Sequence, residues 1–384
     1  MTSSKPTKHV VLCVAGARPN FVKIAPIMRS LAQSREFAPL LVHTGQHYDD
    51  KLSRVFFHDL GIPTPDISLE VGSASHAQQT AEIMRRFEGV VEARQPHVVL
   101  VVGDVNSTVA CALVASKYLL AEPFDWTGQP ARRRPLIVHV EAGLRSFDDD
   151  MPEEVNRRLT DSVSDLLFVS EPSGVENLTR EGVAASRIHL VGNVMIDTLL
   201  AAREQAMKTD VLKRLRLEPG TYGLVTLHRP SNVDDPDQLG QLLAVLDDIA
   251  ERVPLVFPVH PRTRARMEAA GQHLRPDRWR VIEPVGYLEF LRLMSGARLV
   301  LTDSGGIQEE TTILGVRCLT LRDNTERPVT IAEGTNLLAG TRRDTIWPAF
   351  ERAMRDECER RNPRLWDGQA APRITAALER AFIG

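Results

Sequence analysis

Residues 299–328 read LVLTDSGGIQEETTILGVRCLTLRDNTERP. The apolar run Leu299-Val300-Leu301 has the composition of a buried strand and stops at Thr302-Asp303. Ser304, Gly305 and Gly306 follow, and Ile307 to Leu314 has helical composition with Gly315 as its natural C-cap. A strand, a small turn and a helix start make an anion site. Two glycines remove side-chain bulk so that backbone N–H groups approach a phosphate, and the helix dipole favours negative charge there. Glu309 and Glu310 sit a turn into the helix, where one carboxylate can accept hydrogen bonds from a ribose diol. A second apolar run, Val316 to Leu321, leads to Arg322 and Arg327, side chains able to close bidentately over phosphates. A Gly-Gly turn between strand and helix also occurs where nothing binds. The acidic pair and the arginines on the next loop turn this one toward a nucleotide.

Working outward, the 384 residues exceed one ordinary core, so two domains are expected. Charged residues at 25% and hydrophobic residues at 43% are ordinary for a globular protein. The net charge of −3, with Lys and Arg dispersed, argues against a nucleic-acid partner. No apolar run reaches the length of a membrane span, and Met1–Lys8 is a short polar tail without a signal-peptide core, so a cytoplasmic location is expected. Cys13, Cys111, Cys318 and Cys358 are far apart and form no metal-type pair; they read as buried thiols of a reducing compartment.

Upstream, Val10 to Ala15 has the β-branched bias of a doubly buried parallel strand. It ends at Gly16-Ala17-Arg18-Pro19-Asn20, before a helical pattern from Phe21 to Leu31. Arg18 and Lys23 therefore lie at the C-terminal edge of the first strand, where open α/β sheets bind ligands. Leu40–His43 is a second strand, and a long amphipathic helix covers roughly 75–94. Val98–Val102 delivers Gly103-Asp104, and Leu136–Val140 delivers Glu141. Between those two strands lie a helix and an insertion at 121–134 with three consecutive arginines. Pro152-Glu153-Glu154 opens a further helix; the two acids either complement its dipole or do chemistry. Leu166–Ser170 and Ile188–Val191 continue the sheet. A fresh series of strands begins near Tyr222, at 223–227, 255–259, 280–282, 298–302 and 316–321. The first ends in His228-Arg229 and the second in His260-Pro261. This alternation argues parallel, doubly wound sheets in two similar domains facing a central cleft, at 1–192 and 193–365, with a last helix at 366–384 packing back on the fold. His43, His47, His139 and His260 read first as hydrogen-bonding rather than catalytic residues. Arg145 and Arg157 are candidates to pair with Glu141 and Glu153. No His/Cys/Asp spacing forms a metal set.

In one order along the chain stand Gly16-x-Arg18-Pro19-x-x-x-Lys23-x-x-Pro26, Gly103-Asp104, His139-Val140-Glu141-Ala142-Gly143-Leu144-Arg145, and Pro152-Glu153-Glu154-x-Asn156-Arg157. His228-Arg229, His260-Pro261, Asp303–Glu310 and Thr325-Glu326-Arg327-Pro328 follow. Together they resemble the non-hydrolysing UDP-N-acetylglucosamine 2-epimerases. The resemblance implies a GT-B fold, two Rossmann-like domains, a homodimer and a supply of polysaccharide precursors; no cofactor and no metal are expected, since the elimination does not demand one. It implies Ser304, Gly305, Gly306 and Arg18 for the UDP phosphates, Glu310 for the ribose, Phe290 and its neighbours for uracil, and Arg327 for the diphosphate or sugar, with His260 also on the UDP side. Asp104, Glu141 and Glu153 match the family's catalytic carboxylates, Lys23 lies beside them, and His228 matches the histidine near the leaving diphosphate. Three departures stand out: Arg-Pro-Ser-Asn after His228, Asp49 after Gln46-His47-Tyr48, and the arginine-rich insertion. They bear on the sugar's identity and on activation by a second substrate molecule.

The implied chemistry explains the residue types. No carbonyl adjoins C2 of the sugar, so its hydrogen becomes acidic only once the C1–O bond to UDP is breaking. Elimination to a 2-acetamidoglucal and re-addition with protonation on the other face inverts C2. The site therefore needs an anion clamp for UDP and acid/base groups on both faces of the ring. An epimerase acting on a modified UDP-hexosamine, a hydrolysing epimerase, a retaining glycosyltransferase and a UDP-sugar-binding regulator are the rival readings, since fold alone decides none of them.

Overall fold

The structure, a computed structural model, describes residues 8–45, 61, 62, 64–127, 129–355 and 362–383. Gln46, His47, Tyr48, Asp49 and Cys358 lie outside them. The chain divides into two compact units, Met1–Thr198 with Arg364–Gly384, and Leu199–Pro363.

The first unit carries β1 (His9–Ala15), β2 (Phe37–His43), β3 (Ile67–Ser68), β4 (Val98–Val102), the hairpin β5 (Phe124–Trp126) and β6 (Gln129–Arg132), then β7 (Leu136–Val140), β8 (Leu166–Val169) and β9 (Ile188–Leu190). Seven of these form one sheet in the order β3-β2-β1-β4-β7-β8-β9, and every pairing in it is parallel. Strands β4 (VVLVV) and β7 (LIVHV) are buried along their whole length. Helices on both faces demand such continuous apolar runs. On one face the helix His76–Arg94 inserts Ile83, Phe87 and Val91, four residues apart, against Leu12, Val14 and Val99. Each such burial is worth roughly 1.5–3 kcal/mol. The insertion at 121–134 is an antiparallel hairpin. Its arginines serve the fold: Arg132 and Arg134 both reach Asp165, at 2.6 and 3.1 Å, and Arg133 donates to the Leu120 carbonyl.

The second unit holds β10 (Gly223–Thr226), β11 (Leu255–Pro258), β12 (Trp279–Ile282), β13 (Leu299–Thr302), β14 (Arg317–Thr320) and β15 (Asn336–Leu338), again parallel, in the order β12-β11-β10-β13-β14-β15. Its core packs Leu239, Leu242, Leu246 and Ile249 of the helix Pro236–Ala250 and Phe350 against these strands. Both sheets are the expected doubly wound α/β type. In each the strand order reverses once, between β1 and β4 and between β10 and β13, and at such a reversal neighbouring loops part to leave a crevice at the C-terminal edge.

Candidate active site

At the reversal point of the first unit, the loop after β1 is tied down by Asn20. Its side-chain oxygen accepts Gly16 N–H at 3.3 Å and Ala17 N–H at 2.9 Å, and its amide donates to the Val102 carbonyl at the end of β4. Arg18 opens the following helix, Arg18–Gln33, and its side chain lies outside the described residues. A turn later Lys23 is buried, and its Nζ meets Glu141 Oε2 at 2.5 Å. Glu141 leaves β7 with φ at 70°, a left-handed backbone that costs a non-glycine residue about 1–3 kcal/mol. Its N–H is held by the Phe168 carbonyl at 3.0 Å. Gly103, also at positive φ (68°), passes so close that a Cβ there would lie 3.1 Å from Lys23 Nζ. A buried cation and carboxylate are thus built into the crevice, each compensating the other's desolvation.

Asp104 follows Gly103. Arg157 clasps its Oδ2 with Nε (3.0 Å) and Nη2 (2.6 Å), and Asn156 donates to its carbonyl. The same arginine reaches Glu154 Oε2 at 2.7 Å, which also accepts the N–H and hydroxyl of Ser146. Burial opposes the Glu154 charge, but these donors outweigh it and hold its carboxyl below the usual range. The two acids of Pro152-Glu153-Glu154 therefore separate: Glu154 is committed through Oε2 to a buried cluster, whereas Glu153 remains half-buried on the first turn of the helix Pro152–Val163.

The pairing of Arg145 with Glu141, and of Arg157 with Glu153, does not occur. Arg145 binds Asp161 (2.8 Å) and Glu181 (2.7 Å), and Arg157 binds Asp104 and Glu154. Positive φ at both Glu141 and Gly143 turns the chain between Glu141 and Arg145, whose side chains take different partners. His139 is fully buried between Asp161 Oδ1 (2.6 Å) and the Gly103 carbonyl (2.8 Å). It braces the loop that carries Gly103 and Asp104.

In the second unit, β13 runs into the helix Gly305–Leu314, closed by Gly315 at φ 69°. Ser304 occupies the N-cap without a capping side-chain bond, and Ser304, Gly305 and Gly306 are partly exposed. The first backbone N–H groups are therefore presented outward. Behind them Glu326 lies so near that a Cβ on Gly305 would sit 2.5 Å from its Oε1. Glu326 in turn carries Arg322 (2.9 Å) and Arg229 (3.6 Å). Arg327 is buried with its Nε 2.5 Å from Glu309. Glu310 is buried too, accepting the Tyr287 hydroxyl at 2.9 Å. Burial pushes its carboxyl up to about 7, with the Tyr287 hydroxyl pulling the other way. Phe290 is partly exposed on the helix Tyr287–Gly296. His260 is an exposed N-cap whose Nδ1 accepts the Arg262 N–H.

His228, at the end of β10, is half-exposed, and its Nδ1 lies 2.7 Å from Asp303 Oδ1. Asp303 is wholly buried and also accepts the N–H groups of His228 and Arg229 and the Asn232 amide. Sequence reasoning gave Asp303 no role of its own. The signal was there, an acid ending an apolar strand directly before Ser-Gly-Gly.

Two parallel α/β units, one with buried carboxylates and a lysine at its reversal point and the other with an open helix start and arginines, define a GT-B-type protein equipped for a nucleotide sugar. The family model for UDP-N-acetylglucosamine 2-epimerase matches residues 29–379, and the chain belongs to that family. It is similar to the UDP-2,3-diacetamido-2,3-dideoxy-D-glucuronate 2-epimerase of Pseudomonas aeruginosa, 40% identical over 96% of this chain and 99% of that one. It is also similar to the UDP-N-acetylglucosamine 2-epimerase of Methanocaldococcus jannaschii, 38% identical over 95% of this chain and 97% of that one. The crystal structure of the M. jannaschii enzyme in complex with UDP-GlcNAc and UDP superposes with a TM-score of 0.87, covering 96% of this chain and 99% of that one.

Proposed function

We propose that the protein interconverts UDP-N-acetylglucosamine and UDP-N-acetylmannosamine by eliminating UDP to 2-acetamidoglucal and adding it back. The observation that carries this reading is the buried Lys23–Glu141 pair against Gly103, the residue before Asp104, at the reversal point of the first sheet. Glu141, Asp104 and Glu153 are the acid/base groups for the C2 hydrogen, and Lys23 pairs with Glu141 and aims it. In the second unit, the Ser304–Gly306 helix start and Arg327 hold the diphosphate, His228 meets the departing oxygen, Glu310 takes the ribose and Phe290 the uracil; Arg18 and His260 complete the nucleotide contacts. A positioned base contributes roughly 10²–10⁴ in rate and each donor on a developing oxyanion about 10²–10³, so several of each kind are needed.

Incubation with UDP-N-acetylglucosamine in D₂O tests the scheme. Deuterium is expected at C2 of the recovered UDP-sugar in both epimers. Free sugar accumulating with UDP would establish hydrolysis instead, and an unexchanged C2 proton would exclude both. The 40% identity to the P. aeruginosa enzyme favours a second reading, a diacetamido uronic acid as the sugar. Comparison of kcat/KM for the two UDP-sugars decides between them.

We further infer a homodimer in the cytoplasm, feeding polysaccharide precursors. Free buried Cys13, Cys111 and Cys318 fit a reducing compartment. Exposed Phe147, Val155 and Leu159, on and beside the helix Pro152–Val163, offer apolar surface to a second copy. No helix among the described residues is long and apolar enough to cross a membrane.

A further inference from the structure

We propose that Asp303 is a positioning residue: through Nδ1 it fixes the tautomer and direction of His228, so that Nε2 is the atom offered to the nucleotide. The geometry leaves little choice. Asp303 Oδ1 lies 2.7 Å from His228 Nδ1, and an ionised carboxylate only accepts hydrogen bonds. Nδ1 therefore carries a proton whether His228 is neutral or charged, and the proton that is gained or given up is the one on Nε2, which when present donates to the departing diphosphate. Asp303 is itself immobilised. The His228 and Arg229 N–H groups donate to it at 3.0 and 2.9 Å, and Asn232 Nδ2 donates at 3.3 Å while also holding the Leu321 carbonyl at the end of β14. Arg229 Nε returns a bond to the Asp303 carbonyl at 3.1 Å. One buried acid thus fastens the His228 turn to the strand that begins the Ser304–Gly306 helix start. Distance between imidazole and anion site is fixed by covalent neighbours rather than by a flexible loop. Arg229 also pairs with Glu326, which in turn holds Arg322.

The inference rests on the reading that His228 meets the departing diphosphate, and its test separates the two. His228→Ala is expected to lower kcat by about 10²-fold, as for loss of one oxyanion donor. Asp303→Asn is expected to lower it by roughly 10–10²-fold, the range seen when the partner orienting a metal-bound histidine is lost. The loss of UDP affinity should be smaller than the loss of kcat in each. If Asp303 acts through His228, the double variant falls no further than His228→Ala alone; a purely structural Asp303 gives multiplied losses and overturns the proposal. His228→Ala turning over at the parent rate overturns the role of His228 itself. ¹⁵N-histidine NMR of the unaltered protein supplies a readout independent of any variant. Neutral His228 is expected as the Nδ1–H tautomer, and an Nε2–H resonance pattern contradicts the proposal.

Discussion

The buried acids of this protein divide by what surrounds them. Asp303 and Glu154 are desolvated, yet the donors gathered on them prevail, and both carboxyls lie below their ordinary range. Glu310 has one hydroxyl partner and is pushed up to about 7. Its effect on stability follows in sign. Below pH 4.5 it is protonated folded or unfolded; between 4.5 and 7 the folded chain keeps a proton that the unfolded chain loses, so stability falls as pH rises. Above that window the cost is complete and on the order of 3 kcal/mol. Glu310→Gln keeps an acceptor for Tyr287, so its melting temperature should exceed the parent's by several degrees at pH 8, with the gap closing toward pH 5. A gap that does not change with pH removes the burial argument. Glu141 makes the complementary case. Glu141→Gln should lower kcat by roughly 10²–10⁴ with UDP affinity nearly intact, because neither Glu141 nor its partner Lys23 is among the groups assigned to the nucleotide. Full turnover in that variant, measured by C2 exchange, ends the acid/base assignment.

At the scale of elements, the sequence reads well where patterns are local. Strand runs such as VVLVV and LIVHV and the strand–turn–helix at 299–314 stand where their composition puts them. What escaped has a physical reason. Ile67–Ser68 and Asn336–Leu338 are short edge strands, too brief to carry a period. The arginines at 132–134 looked like a charged insertion because their partner, Asp165, is distant in sequence. The ion pairs expected between Glu141 and Arg145 failed because a backbone turn is invisible in side-chain spacing. The same turn carries a prediction: Gly143 has φ at 79°, and a Cβ on it would lie 2.4 Å from the Gly174 carbonyl oxygen. Gly143→Ala combines left-handed strain with a backbone clash, and a loss of at least about 2 kcal/mol in chemical denaturation is expected. Gly305→Ala differs, since it sits on a helix and meets only the end of Glu326. It should leave stability near that of the parent while weakening UDP roughly tenfold, about 1.4 kcal/mol, as displaced Glu326 drags Arg229 and Arg322. Titration calorimetry and melting curves on the same variant separate the two effects.

For the molecule as a whole, the last helix belongs to the first unit although the second intervenes in sequence. Ser30 of the helix Arg18–Gln33 and Ser34, its C-cap, bond Thr375 and Glu379, each at 2.7 Å. Asp197 accepts the N–H groups of Ala370 and Ala371, and Trp366 Nε1 donates to the Ser170 carbonyl. Ile374 and Leu378 are fully buried. The helix that bears Lys23 is therefore supported on its far side by residues near the end of the chain. Ending the chain at Pro363 removes this cover, strips Asp197 of its two donors and uncovers apolar surface on the helix Arg18–Gln33. Hydrogen exchange should then accelerate across that helix and β1, while protection of β10 and β13 and binding of UDP to the second unit persist, because local stability follows local contacts. Uniform loss of protection in both units would show instead that the terminal helix stabilises the chain as one cooperative body.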